Sequence, residues 1–503
     1  MSPIKNLLFA GARAAALATI FTLIGARSGF AVDRLLIDLP LLDVDVSLDL
    51  KGARSSKDLI RSNADLQELD RAGDGSVVRL LDRLLTAPLP KRATSVLEQS
   101  VGHPLLQQAL LAASELMKVE GLPPDTSGRS LADALQAAYR EGEPTILGLL
   151  RRLPGESLSI DLQALAFYAK RLQFNQDDAR RLVRQGTRVT PASMDVAESG
   201  ASGWDRSELS VPVAHRSVPI EITVFQPQRL PNGKLVVISH GLWDEPESFE
   251  GWGRILAANG YTVLLPRHPG SDAAQQKELL SGAAPPPSTQ ELRFRPLDVT
   301  ALLDAIQTGS LLAGQQFDDD VAVVGHSWGG TAALQLSGLQ TTSKKLKLRC
   351  QDPRDPERNL SWVLQCSWLA GADQGSLADP RVKAAVVVSP PLTLLFDETS
   401  GPSLQAKVLL VSGTKDWVVP SDPEAVMPLK RSNPLANGHR LVLASGGTHF
   451  NLWAPAAQNT DPVLGPLILA WINEQLSVPS SYTFSGGGWG HPSIPLVDVT
   501  SQL

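Results

Sequence analysis

An α/β architecture, with a doubly wound and mostly parallel sheet preceded by a mainly helical domain, is what the 503-residue sequence predicts. Three observations predict it. From about residue 206 onward, short β-branched runs alternate with helix-like segments, the order that builds a parallel sheet covered on both faces. Before residue 186, apolar residues recur instead at three- and four-residue spacing, the period of helices. Between the two lies a polar stretch, 187–205, in which Glu198-Ser-Gly-Ala-Ser-Gly-Trp204 has the composition of a linker.

Taken in order, residues 1–31 carry Lys5 and Arg13, an apolar run over 14–25, and then Gly29-Phe30-Ala31. That is the layout of a secretory signal cut after Ala31, and Arg13 leaves too short a run for the roughly 20 residues a bilayer span needs. Export to the periplasm or beyond is therefore expected. No later segment has an apolar run long enough to cross a bilayer, so the mature chain is expected to be soluble or peripherally attached to a membrane.

Residues 32–186 predict an opening strand over 35–48, then helices over 77–85, 105–117, 131–139, 160–172 and 177–184. Residues 206–476 predict strands over 209–213, 220–225, 235–239, 262–265, 321–324, 384–389, 407–412 and 441–444. Helices are expected over 248–259, 296–307, 330–340 and 463–476. Residues 477–503, rich in Ser, Gly and Pro, read as a flexible tail. Its Gly486-Gly-Gly-Trp-Gly490 neither follows a strand nor opens a helix, so it is no phosphate loop.

A net charge of -6 with mixed signs along the chain leaves no broad cationic face for nucleic acid. The two cysteines, Cys350 and Cys366, sit close together in a polar stretch. In an oxidising compartment they are expected to bridge, and two thiols are too few for a structural zinc site.

The chemistry centres on Val321-Ala-Val-Val-Gly325-His-Ser327-Trp-Gly329-Gly330. A G-x-S-x-G that ends an apolar strand and opens a small-residue helix is the context of a nucleophile elbow, where small neighbours let backbone approach while the hydroxyl stands clear. A serine hydroxyl needs a base, and the base needs an acid to orient it. Of the downstream histidines, His439 precedes a strand and His491 lies in the tail. His449 follows a strand in the loop Ala444-Ser-Gly-Gly-Thr-His449, so it is the expected base. Asp416, at the mouth of the strand 407–412 after Gly413, is the expected acid, with Asp397 and Asp422 as rivals. The oxyanion of acyl transfer needs amide donors. The amide of Trp328 is one, and the loop of Ser239-His240-Gly241-Leu242 offers Leu242, with Gly241 beside it. His240 reads as shaping that loop, since no second metal ligand follows at suitable spacing. Neither a metal nor an organic cofactor is expected.

Together these residues resemble the platelet-activating-factor acetylhydrolase and predicted dienelactone hydrolase group of α/β-hydrolases. The resemblance rests on Ser-His-Gly-Leu at 239–242, Arg267-His-Pro-Gly-Ser271, Arg295-Pro-Leu-Asp-Val299 and Gly-His-Ser-Trp-Gly-Gly at 325–330, and it covers roughly 211–476. The front domain, notably Ala164-Leu-Ala-Phe-Tyr-Ala-Lys-Arg171, is similar to the helical domain of unknown function attached to bacterial members. The resemblance implies the α/β-hydrolase fold, Ser327 as nucleophile, His449 as base, and the amides of Leu242 and Trp328 as the oxyanion hole. One position departs from the group. Its plasma members carry the acid at a place that aligns with Ser389, which cannot serve, so the role passes to Asp416.

The expected activity is hydrolysis of a carboxylic ester, small or lipid, through an acyl-enzyme. The segment 340–383, with Trp362, Trp368 and both cysteines, is expected as a lid or cap over the acyl pocket. The same triad also suits a peptidase or thioesterase. A non-catalytic exported lipid-binding protein is the remaining alternative. Acyl length, alcohol and oligomeric state are not encoded in any motif found.

Overall fold

The computed structural model describes residues 31–503 other than 40–43, 52–55, 62–63, 73, 122–124, 193–202, 398–399 and 456–461. The expected signal segment lies outside the described residues apart from Ala31, as does the middle of the expected linker. Among the described residues, no helix is long and apolar enough to cross a membrane.

The chain divides into two compact units. The first gathers 1–171 with two excursions, 277–286 and 352–356. It is mainly helical, yet it also holds four strands: β1 (Arg34–Leu39), β2 (Val44–Asp49), β3 (Met117–Glu120) and β4 (Ser157–Asp161), in spatial order β2-β1-β4-β3. The single strand expected over 35–48 is thus two antiparallel strands, Leu35 facing Leu48 and Ile37 facing Val46. β3 starts at the last residue of the expected helix 105–117 and β4 ends two residues into the expected helix 160–172, so both lie mostly in stretches for which no element was expected. Leu48, Leu135, Leu149 and Leu158 lie in its buried core.

The helices expected over 160–172 and 177–184 are one helix, Leu162–Gln185. Asp161 accepts the amide of Ala164 at 2.8 Å and so caps its start. The polar residues read as a break include no Gly or Pro, and nothing there stops a helix. Its last turns present Ala179, Leu182 and Val183 to the core of the second unit, so the unit boundary falls near 171 rather than 186.

The second unit (172–276, 287–351 and 357–503) is built on a ten-stranded sheet. Its strands are β5 (Thr187–Arg188), β6 (Trp204–Val211), β7 (Ile220–Pro227), β8 (Leu235–Ser239), β9 (Thr262–Pro266), β10 (Val321–His326), β11 (Val382–Val388), β12 (Lys407–Gly413), β13 (Arg440–Ala444) and β14 (Leu496–Asp498). The central six, β9-β8-β10-β11-β12-β13, are parallel, and antiparallel strands extend both edges. Parallel strands are covered on both faces and must be apolar on both. Accordingly every residue of β8 and β10 is buried. Val321 and Val323 join one core layer, while Ala322 and Val324 join the other. Helices Glu291–Gln307 and Trp328–Leu336 cover the first face, and Glu250–Ala258 and Gly465–Gln475 the second.

β8 is flanked by β9 on one side and β10 on the other, so the chain reverses its winding direction between β8 and β10. Crevices at such switch points, beyond the carboxyl ends of the strands, are where α/β sheets bind ligands. The loop after β8 and the elbow after β10 both open there.

The C-terminal segment, expected to be a flexible tail, is built into this unit instead. Its β14 pairs antiparallel with β13, and Phe484 stacks on the buried Trp489 with ring centroids 4.9 Å apart. Gly and Ser set the expectation of flexibility, but the aromatic and β-branched residues between them decide the packing.

Candidate active site

The elbow follows from close approach. Ser327 has φ 54° and ψ -120°, a conformation that costs a non-glycine residue about 1–3 kcal/mol and must be held by its surroundings. Its amide is held by the carbonyl of Val388 on β11 at 2.8 Å. A Cβ on Gly325 would stand 2.1 Å from the carbonyl oxygen of Gly329, and one on Gly329 would stand 2.1 Å from that of Ser239. The two glycines of the motif are therefore required where the elbow folds on itself and against the loop after β8. That contact brings residues 239–242 to Ser327, since a Cβ on Gly241 would lie 3.2 Å from the Cβ of Ser327.

The loops after β12 and β13 converge as well. Lys415 donates its amide to the carbonyl of Gly447 at 2.7 Å, and Thr414 donates to that of Ala444 at 3.0 Å. This brings together Asp416 and His449, with Oδ2 2.9 Å from Nδ1. Oδ1 of Asp416 accepts the amides of Val418 and Val419 at 3.0 and 2.8 Å, so the buried carboxylate is satisfied. Of the rivals, Asp397 faces Lys344 at 3.5 Å, and among the described residues the carboxylate hydrogen-bonded to the His449 imidazole is that of Asp416, not of Asp422. His439 accepts the amide of Val408, and His491 accepts those of Ser493 and Ile494.

His326, between Gly325 and Ser327, supplies a contact that sequence reasoning missed. Burial holds its pKa well below the ordinary histidine value, and the neighbouring His449 adds to this. The neutral ring donates from Nε2 to the carbonyl oxygen of His449 at 3.0 Å, with the two ring centroids 4.8 Å apart. The described hydrogen bonds include none from Ser327 Oγ to the imidazole; the described contact runs from His326, the chain neighbour of Ser327, to His449. Catalytic hydrogen bonds are often long before substrate binds.

Three amides beside the elbow are candidate oxyanion donors. Those of Gly241, Leu242 and Trp328 find no protein acceptor among the described residues. Buried or half-buried amides are normally paired, so unpaired ones grouped beside a strained serine mark a place for an acceptor. His240 shapes their loop. Its Nε2 accepts the amide of His268 at 3.0 Å, which places its proton on Nδ1 to donate to the carbonyl of Gly241 at 2.8 Å.

Beneath this loop lies a buried polar network. Asp298 accepts from His268 Nδ1 at 2.7 Å, from His215 Nε2 at 2.7 Å, and from Arg216 at 2.8 and 2.7 Å. Burial alone would raise the Asp298 pKa, but those hydrogen bonds outweigh it and hold the carboxyl well below its usual range. Burial pulls His268 down to about 4 against the pull of Asp298. Its Nε2, 2.9 Å from Ser239 Oγ, is then an acceptor. Arg295, also fully buried, is pulled down to about 10 by burial while Glu291 opposes the shift, so it stays charged at neutral pH. The sequence displayed Arg267-His268, Arg295 and Asp298 as motifs but not their convergence.

The segment expected as a lid is anchored. Cys350 and Cys366 are disulfide-bonded, with Cα atoms 5.6 Å apart. Trp362 and Trp368 are buried in the sheet's core, and Trp368 packs on Trp328 at 4.7 Å between ring centroids. The buried carboxylate of Glu424 accepts from Ser361 and Gln365 of this segment and from the amides of Leu392 and Thr393. With both tryptophans in the core, this part of the insertion is a wall behind the elbow rather than a free flap. Residues 352–356 group with the first unit.

Among the described residues, no group of three His, Cys, Asp or Glu could hold a metal ion. Residues 235–461 match the model of the alpha/beta hydrolase family. That span runs from β8 past the elbow and Asp416 to beyond His449, and the fold of this unit is the α/β-hydrolase fold. No curated protein matches the chain.

Proposed function

We propose that the second unit is a serine hydrolase that cleaves carboxylic esters, of the esterase or lipase type, through an acyl-enzyme on Ser327. The observation that carries this reading is the grouping of a strained serine, three amides without a protein acceptor, and an Asp416–His449 pair on converging loops. In the proposed cycle, His449 takes the Ser327 proton as Oγ attacks the ester carbonyl, and Asp416 fixes the tautomer and stabilises the imidazolium. The amides of Leu242, Gly241 and Trp328 receive the oxyanion. Collapse expels the alcohol, which takes the proton from His449, and water activated by the same imidazole then releases the acid.

An apolar substrate is favoured by the residues beside the proposed acid and base. Trp417 and Phe450 follow Asp416 and His449 directly and are 43% and 50% exposed, so both offer aromatic surface next to the proposed reacting groups. With the resemblance noted above, this supports a lipid ester, including the acyl ester of a phospholipid, handled by an exported enzyme. A fluorophosphonate probe that labels the wild type but not Ser327→Ala, followed by a chain-length panel of esters, tests the reading. Absence of labelling in well-folded protein would overturn it, and faster turnover of thioesters or anilides would move the substrate class to those acyl donors.

A further inference from the structure

We infer that Arg295 is the positioning residue of the oxyanion hole, holding the amides of Gly241 and Leu242 in place from behind through their own peptide groups. The inference rests on the ester-hydrolase reading and concerns what makes that site work.

The argument is one of peptide geometry. Arg295 Nη1 donates to the carbonyl oxygen of His240, and Nη2 donates to that of Gly241 at 3.0 Å. In a trans peptide the C=O and the following N–H lie in one plane and point in opposite directions, and the described chain has no cis peptide bond. The carbonyl of His240 belongs to the same peptide as the Gly241 amide, and the carbonyl of Gly241 to the same peptide as the Leu242 amide. One rigid guanidinium gripping both oxygens therefore turns both N–H groups to the far side of the loop. There they have no protein acceptor, and Gly241 stands against Ser327.

Arg295 is itself fixed. Nε donates to Ser271 Oγ at 3.0 Å and Nη2 to the Ser271 carbonyl at 3.2 Å. Its guanidinium also lies 4.5 Å over the Trp328 ring. The same planar group thus touches both halves of the proposed hole, the loop after β8 and the residue after the nucleophile. Lysine carries the charge but has no fork, so it cannot span two carbonyls in a fixed geometry.

The test compares an oxygen ester with its thionoester, whose sulfur accepts amide hydrogen bonds poorly, in wild type, Arg295→Lys and Ser271→Ala. Losing aligned donors costs about 100-fold in kcat. Arg295→Lys is therefore expected to slow the oxygen ester about that much with KM little changed, while thionoester turnover falls far less. Ser271→Ala, which removes one anchor of the guanidinium without stranding a charge, should shift the ester-to-thionoester ratio in the same direction by a few-fold. It provides the readout if the lysine variant does not fold. A folded variant in which both substrates slow equally, or in which the ratio is unchanged, would overturn the inference. Wild type that turns over neither ester would instead overturn the reading it rests on.

Discussion

Ser239 ends β8 and Ser327 follows the neighbouring β10, Ser239 paired in register with Gly325; the first is hydrogen-bonded into a Ser-His-Asp set, and the second is the serine of the set proposed above. In the first, Ser239 Oγ lies 2.9 Å from His268 Nε2, and His268 Nδ1 lies 2.7 Å from Asp298. In the second, His449 Nδ1 lies 2.9 Å from Asp416. By side-chain geometry alone the first set is the more complete. What separates them is everything around the side chains. Ser239 ends a regular, buried strand, whereas Ser327 stands in a positive-φ elbow at a helix start, beside amides without acceptors among the described residues. Asp298 is neutralised by the bidentate Arg216, whereas the hydrogen-bond partners of Asp416 among the described residues are an imidazole and two backbone amides. On the proposed reading, access and oxyanion donors are what make the second set catalytic, and without them the hydrogen bonds of the first serve as internal scaffolding.

The serines separate the two sets most sharply. Ser327→Ala should lower kcat on a small activated ester by about a million-fold and abolish fluorophosphonate labelling. Ser239→Ala should retain labelling at Ser327, and loss of labelling there with the fold intact would mean that the buried set takes part in the chemistry. The carboxylates come next and should respond in different quantities. Asp416→Asn should cut kcat by about 10,000-fold with little change in melting temperature, because the imidazole loses its tautomer and its counter-charge. Asp298→Asn should leave a buried Arg216 underpaired and cost about 3–5 kcal/mol in urea unfolding. If Asp298→Asn impaired kcat as severely as Asp416→Asn without destabilising the fold, the distinction between site and scaffold would fail.

The disulfide sharpens the same contrast on the wall behind the elbow. Cys350 and Cys366 are 16 residues apart, and closing a loop of that size contributes about 3 kcal/mol in the chain-entropy model. Replacing both with Ala should lower stability by about that amount in urea unfolding. Small-ester kcat should remain largely intact, because Trp368 is still packed on Trp328 by its buried neighbours. A large loss of kcat at full stability would show that the segment acts on the chemistry directly.

What the sequence displayed and what it hid divide along the range of the interactions. The elbow was legible because the glycines that permit it flank the serine within five residues. Asp416 and His449 were legible because each ends an apolar strand in a small-residue loop, and chain order assigned their places. The cysteine pair was legible from its short spacing. The buried relay was not, since Ser239, His268 and Asp298 are about 30 residues apart in steps and no local pattern announces that a strand end, a loop and a helix will meet. His326 was read only as the variable residue of a motif, because its partner is a backbone carbonyl 123 residues away. The four-stranded sheet of the first unit was masked by strands of four to six residues, too short for their period to stand out. The tail misled by composition, because its Gly and Ser surround Phe484 and Trp489, which decide its burial.

The smallest expected effect is in pH and tests whether the scaffold relay is truly neutral. His268 has a native pKa of about 4 against its ordinary 6.5, and His240 and His326 are shifted in the same direction by burial. As pH falls through 6.5, the unfolded chain binds protons at these positions while the native chain does not. Stability is therefore full above that pH and is lost progressively down to about 4, where the native His268 also protonates. For His268 alone the loss between pH 7 and pH 5.5 is roughly 1 kcal/mol. Urea unfolding at a series of pH values should show this decline, and His268→Asn should make the slope shallower by up to one proton's worth. A slope that steepened instead would mean that His268 is protonated in the native state, its pKa raised rather than lowered. In that case His268 Nε2 would be a donor to Ser239 rather than an acceptor, and the buried set would be a salt-bridged cluster instead of a neutral copy of the catalytic one.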